Sequence, residues 1–289
     1  MPQVSSHSQE PAALDKQLTY SSYRLPDHVS YDAAALLEPL SVAIHSLNRA
    51  SPAPGSTALV IGAGTVGLLT AAMARQSGCT SVTIADIDAG RVEYALSRGF
   101  ATQGFVVPKS FKSPSSSGTA TPEGVITPGS VFSAASQFDG AKSLASEILS
   151  TAGPNDDGFI LEEDEDGFDV TFECTGKEVC MHTSLYATKP GGKVVMVGMG
   201  TPIQTLPLSV SHLREIDIVG VFRYANTYAT GIRMLCSQKK NTVGPALPNL
   251  DDMVTHRFKG LAEAHRAFEL ASRTSDDDGN LVLKVIIEV

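Results

Sequence analysis

The stretch TALVIGAGTVGLLTAAMARQSG, residues 57 to 78, constrains the fold of this chain more than any other. Five residues with an apolar run lead into Gly62-x-Gly64-x-x-Gly67, and an apolar, alanine-rich segment comes next. A strand entering a tight glycine turn and leaving as a helix is the start of a β-α-β unit. The same region carries no charge from Ala50 to Ala74, long enough to suggest a membrane span by hydropathy. Pro52, Pro54, Gly55 and the three loop glycines break it, so it reads as turn, strand, loop and helix.

SVTIAD, residues 81 to 86, supplies the next strand and ends in an acid 19 residues beyond Gly67. Each part of this pattern has a physical purpose. The first glycine permits the turn, the second lets backbone approach a pyrophosphate, and the third lets helix pack on strand. The helix start offers free N–H groups and the positive end of a dipole. Asp86 is placed to accept from ribose hydroxyls and would repel a 2′-phosphate, which favours NAD(H) over NADP(H). S-adenosylmethionine is the chemical rival, because it too can use a glycine turn and a strand-end acid. Arg91, five residues past Asp86, reads equally as a guanidinium stacked on adenine or as a solvated helix residue.

Strands and helices alternate beyond this unit. GRVEYALSRG reads as a helix closed by Gly99, ATQGFVV as a third strand, and FDVTFECTG as a return to strand. KEVCMHTSLYATKPGG reads as a helix with a proline-glycine stop, KVVMVGMG and DIVGVF as strands, and NTYATGIRMLCSQKK as a helix. LAEAHRAFELASR is amphipathic, and NLVLKVIIEV closes the chain as a β-branched strand. This order predicts an α/β fold: a doubly wound parallel sheet, the Rossmann fold.

Before the glycine loop, Asp32 to Ala50 shows a helical period in two pieces, the second starting near Glu38-Pro39. Glu38 there reads as a carboxylate at a helix N-terminus, stabilised by about 0.3–1 kcal/mol. The organisation expected is an irregular leader over 1–23, a helical segment over 24–50, a nucleotide-binding domain over 51–250, and a return segment over 251–289. An insertion near 108–166 is expected to be disordered, because its first part is rich in Ser, Pro, Thr and Gly. A helical pattern, AKSLASEILSTAG, interrupts it.

The net charge of −9 argues against nucleic acid and anionic membrane as partners. Seven acids between Asp156 and Asp166 carry most of it, and the remaining balance is only −2. Cys79, Cys174, Cys180 and Cys236 form no CxxC pair, and free thiols in the cytoplasm are the expectation. His45, His182, His212 and His256 include no i, i+4 pair of the metal-clamp type, so no metal ligand is assigned.

Several segments together carry a resemblance: LPDHVSYDAAALLEPLSVAIH, VIGAGTVGLLTAAMAR, DIDAGRVEYA, FECTG, GGKVVMVGMG, REIDIVGVFRYANTY and VTHRF. The chain resembles the zinc-containing medium-chain dehydrogenases, in the branch of the sorbitol, xylitol and arabinitol dehydrogenases. The resemblance implies a remnant of a GroES-like catalytic domain beside the Rossmann fold. It implies NAD as cofactor, at Gly62, Gly64, Thr65, Val66, Gly67, Asp86 and Arg91. Cys174, Thr175, Val197, Gly198 and Met199 match strand ends beside the nicotinamide. Phe222, Arg223 and Tyr224 match a segment facing it, and Glu38 matches a glutamate next to the zinc or its water. Glu38 and Arg223 are thus the catalytic candidates.

Zinc is expected for that family, yet no Gly-His-Glu occurs here and no cysteine precedes Cys79. The expectation is therefore a form lacking most of the N-terminal catalytic domain, with impaired oxidation of a polyol secondary alcohol to a ketose. The alternatives are an NAD(H)-binding module without catalysis and a piece of a longer protein. The resemblance also implies a small-molecule polyol substrate and a homo-oligomer joined through the Rossmann domain near DIVGVF.

Overall fold

The computed structural model describes residues 23–108, 128–152, 167–200, 202–237 and 247–289. The leader up to residue 22, the acidic run and most of the Ser/Pro-rich stretch lie outside the described residues.

Six strands form one parallel sheet: β1 (Thr57–Ile61), β2 (Ser81–Asp86), β3 (Gln103–Val106), β4 (Phe168–Glu173), β5 (Thr188–Met196) and β6 (Asp217–Gly220). Their spatial order is β3-β2-β1-β4-β5-β6, the Rossmann order. The cause is visible in β1. Ala58 and Val60 face one core while Leu59 and Ile61 face the other, and all four are buried. A strand covered on both faces needs a continuous apolar run, and TALVI supplies one.

Helices cover both faces. On one side pack α1 (Tyr31–Ala35), α2 (Leu37–Ala50), α3 (Thr65–Gln76), and later in the chain α8 (Tyr228–Ser237). Ser30 caps α1, its hydroxyl accepting from the Ala33 N–H at 3.1 Å. The break falls at Leu36, and α2 begins one residue before Glu38, so Pro39 sits in its first turn where a missing N–H costs nothing. Leu40, Ile44 and Leu47 lie on its buried face.

Between them along the chain come α4 (Ala89–Ser97), α5 (Pro128–Ala152), α6 (Glu178–Ala187) and α7 (Leu208–Leu213). Within the expected insertion, helix α5 takes in the helical pattern AKSLASEILSTAG up to Ala152 and starts earlier, at Pro128; residues 109–127 and 153–166 of the insertion lie outside the described residues. Twenty-five residues are helical, and Leu144, Ala145 and Ile148 bury a stripe against β1, β3 and β4. The low apolar content of its flanks obscures that stripe in the sequence.

The helix before β5 ends at Ala187, and the strand takes in Pro190 and both glycines with a register shift against β4. At the base of the sheet Asp169 accepts from the Thr57 N–H (2.7 Å), the Thr57 hydroxyl (2.8 Å) and Lys189 (2.8 Å). It ties the starts of β1, β4 and β5 together.

The return segment folds as β7 (Val254–Lys259), α9 (Ala264–Ala271) and β8 (Lys284–Glu288), with β7 and β8 parallel in a separate two-stranded sheet. Arg257 of β7 pairs with Asp32 of α1 and with Glu288 of β8, and the Ser30 hydroxyl donates to Asp251. The return segment is therefore fixed to the helical entry segment. Among the described residues no helix is long and apolar enough to cross a membrane.

Candidate dinucleotide site at the carboxyl ends of the strands

The sheet reverses its strand order between β1 and β4, and the crevice at such a switch point is where open α/β sheets take ligands. The glycine loop sits there. Gly62 has φ +104°, and a Cβ on it would stand 2.8 Å from the Thr175 methyl. Gly67 is held by packing: a Cβ would lie 1.8 Å from the Gly62 carbonyl oxygen. Gly64 is different. Its φ is −75°, which any residue adopts, and a Cβ would meet only the Arg91 guanidinium, at 3.9 Å. Nothing within the chain demands a glycine at that position.

Helix α3 opens directly from the loop, with Gly64 as its N-cap and no side chain capping its first N–H groups. Thr65 occupies the first turn and Val66 packs against the core. Asp86 stands at the end of β2. Its carboxylate accepts from the Ala63 N–H at 2.6 Å and from the Asp88 N–H at 2.9 Å. Two backbone donors thus aim the acid across the loop, and a carboxylate retains further lone pairs for a ligand.

Arg91 is half-buried rather than fully solvated. Its Nη2 donates to the Val282 carbonyl at 3.2 Å, and its buried Nε finds no partner among the described residues. The Thr65 hydroxyl donates to the Leu283 carbonyl at 2.9 Å. The return segment therefore lies against the glycine loop, a contact no local signal announces.

The far half of the crevice is built from the ends of β4 and β5. The Val197 and Gly198 N–H groups donate to the Glu173 carbonyl at 2.9 and 2.8 Å. A Cβ on Gly198 would fall 2.1 Å from the Gly176 nitrogen, so the two strand ends touch backbone to backbone. Cys174 and Thr175 adjoin the glycine loop through Gly62 and Gly67. Met199, 76% exposed, extends the wall outward. Desolvation pushes the Cys174 thiol well up from its ordinary value, and the neighbouring Glu173 carboxylate adds to this. Burial likewise pushes Cys180 up to about 11. Both thiols are neutral near pH 7 and poor as nucleophiles.

Sequence reasoning does not single out Glu173. It is 3% exposed, and its carboxylate accepts from the Thr175 N–H (2.7 Å), the Gly176 N–H (3.0 Å) and the Thr175 hydroxyl. The signal is present all the same: a carboxylate closing the apolar strand FDVTFE demands local donors.

Phe222 and Arg223 follow β6, one residue (Val221) beyond its end. Phe222 is 75% exposed, and the Arg223 guanidinium lies 5.8 Å from its ring centroid. Arg223 has φ +51°, a left-handed conformation that is strained for a non-glycine residue. Glu38 is exposed in the first turn of α2. Its charge reaches Tyr228, whose phenol is pushed up by burial first, then by the Tyr224 hydroxyl and by Glu38. Tyr23 stacks on Tyr228 at 5.5 Å, and Tyr224 lies 5.0 Å from it. Tyr228 is thus the phenol that feels the Glu38 charge. Among the described residues no three His, Cys, Asp or Glu side chains converge. This donor set does not fit zinc, which takes three or four N, S or O protein ligands. His182 and His256 have other partners: the Thr205 carbonyl for the first, Thr255 and Asp276 for the second.

Comparison with known proteins agrees with this geometry. The sequence profile of the family described as zinc-binding dehydrogenase matches residues 131–237. Sorbitol dehydrogenase of Mus musculus is 35% identical over 251 residues, which are 87% of this chain and 56% of that protein. Sorbitol dehydrogenase of Bos taurus is 33% identical over 266 residues, 92% of this chain and 59% of that protein. Among solved structures, L-idonate 5-dehydrogenase of Escherichia coli superposes with a TM-score of 0.64 at 20% identity, covering 93% of this chain and 60% of that one. 2R,3R-butanediol dehydrogenase of Bacillus subtilis does so with a TM-score of 0.64 at 19% identity, covering 92% and 60%. The chain spans less than two thirds of the length of each of these proteins. With this fold, this glycine loop and these relatives, the chain belongs to the zinc-binding, medium-chain dehydrogenase family, alongside the sorbitol dehydrogenases.

Proposed function

We propose that this chain binds NAD(H) in the crevice between β1 and β4 and serves the oxidation of a polyol secondary alcohol to a ketose. Gly64 carries the reading. Its glycine is required neither by its backbone angle nor by a neighbouring atom of the chain, so a ligand pressed against the backbone is what excludes a Cβ. Asp86 supports the choice of NAD over NADP, because its carboxylate would repel a 2′-phosphate. Gly62 to Gly67 and Asp86 would hold the pyrophosphate and ribose. Cys174, Thr175, Val197, Gly198 and Met199 would line the nicotinamide, which supplies hydride transfer when bound. Phe222 would close the nicotinamide end, with Arg223 and Glu38 facing the substrate.

Among the described residues, Glu38 offers one carboxylate where zinc takes three or four ligands. That observation favours a second reading, an NAD(H)-binding module without catalysis. The exposed edge of β6 supports pairing of two copies, and four free thiols support a cytoplasmic setting.

The test is titration with NADH and NADPH, then NADH production from sorbitol, xylitol and arabinitol. Binding of NADH at least tenfold tighter than NADPH is expected. Absence of NADH binding by folded protein overturns the proposal. Binding with a turnover rate equal to the blank, in metal-free protein, leaves the second reading standing alone.

A further inference from the structure

Glu173 is a buried carboxyl group whose hydrogen-bond partners are all neutral: two N–H groups and one hydroxyl of the Thr175-Gly176 turn. Burial pushes its carboxyl up, and those three donors pull it back. An apolar or neutral side chain would be cheaper at a strand end buried this deeply. The carboxylate lies at the carboxyl end of β4, directly behind Cys174 and Thr175, while its carbonyl binds the Val197 and Gly198 N–H groups of the facing strand end. Both walls of the nicotinamide half of the crevice are therefore hung on one residue.

The two forms of the cofactor differ in charge at the end that would occupy those walls. The oxidised nicotinamide ring is a cation and the reduced ring is neutral. A fixed negative charge behind the ring acts on one and not the other, and partial exclusion of water strengthens the effect. We propose that Glu173 is a positioning residue whose charge biases this site toward the oxidised dinucleotide over the reduced one. The inference rests on the NAD(H) reading and adds to it a residue and a direction of preference.

Replacement of the side chain separates charge from shape. Gln in Glu173→Gln keeps an acceptor for the Thr175 and Gly176 N–H groups and removes the charge. Asp in Glu173→Asp keeps the charge and shortens the reach. Dissociation constants for NAD⁺ and NADH are measured by calorimetry at pH 8 on wild type and both variants, with folding verified by circular dichroism. The expected result for Glu173→Gln is a shift of the NAD⁺/NADH affinity ratio toward NADH by on the order of tenfold or more, the size of a unit charge interaction within about 12 Å at an effective dielectric near 20. Glu173→Asp should weaken both forms and leave the ratio near wild type. If Glu173→Gln lowers both affinities equally, the role is structural only and the inference is wrong. If folded wild type binds neither form, the NAD(H) reading fails and this inference falls with it.

Discussion

The Thr65 hydroxyl donates to the Leu283 carbonyl at 2.9 Å across 218 positions of sequence. One residue opens the helix of the glycine loop, and the other precedes the last strand. Arg91 makes the parallel contact to Val282 at 3.2 Å. The two bonds clamp the return segment against the loop proposed to hold the pyrophosphate, so the C-terminal strand and the cofactor crevice are mechanically one unit.

Removing the clamp should loosen that unit without unfolding the sheet. Arg91→Ala deletes a charge-assisted bond worth about 1.5–3 kcal/mol, and Thr65→Val deletes a neutral one worth about 0.5–1.5 kcal/mol. Hydrogen exchange should rise over residues 281–288 and stay unchanged over β1 and β4. The double variant should cost less than the sum, because both bonds hold the same segment. Unchanged exchange in β8 for both single variants would show that neither bond holds the strand.

The three loop glycines should part ways on substitution. Gly67→Ala forces a Cβ to within 1.8 Å of the Gly62 oxygen, so helix and strand must separate, at about 1–3 kcal/mol of stability. Gly64→Ala meets only the Arg91 guanidinium and should keep stability within about 1 kcal/mol. Its effect should appear in NADH affinity instead, as a loss of tenfold or more. Urea unfolding and NADH titration on the two variants check both halves.

The sequence is most informative where structure obeys a local period. TALVI is a nearly continuous apolar run, SVTIAD and FDVTFE carry β-branched or aromatic residues in every other position or better, and the glycine loop dictates the turn and helix after the first of them. The parallel sheet and its switch point can therefore be read directly. Helix α5 is half visible, because its buried stripe of Leu144, Ala145 and Ile148 stands between stretches of Ser, Pro and Thr. The partner of Arg91 is not legible at all. A helix arginine carries no mark of a carbonyl 191 positions away. Glu173 lies between these cases: the chain displays a carboxylate closing an apolar strand, but its donors come from the turn geometry of Thr175 and Gly176. Glu38 is legible as a helix-start residue, while Tyr228, the phenol its charge reaches, comes from α8, far off in sequence.

Acid should release the return segment before it harms the sheet. Asp276 accepts from the Asn280 side chain (2.8 Å), the Asn280 N–H (2.7 Å) and the Asp278 N–H (3.0 Å), and meets His256 Nε2 at 3.2 Å. The Asn280 bonds foremost hold its carboxyl down at about 2, below the ordinary 3.8. A depressed carboxyl favours the folded state fully above its unfolded value, and that contribution is lost as pH falls through the folded value. The window is therefore from about 4 down to about 2. His256 passes the effect on, since its Nδ1 lies 2.9 Å from the Thr255 hydroxyl, which accepts from the Leu283 N–H at 3.1 Å. Asp276→Asn should lower Tm at pH 6 by a few degrees, and the gap to wild type should narrow as pH falls to 2, where wild type has lost about half of that charge and most of its contribution. Melting curves of the two proteins at pH 6, 4, 3 and 2 decide it, and a gap that stays constant across that range would show that the Asp276 charge has no part in holding the segment.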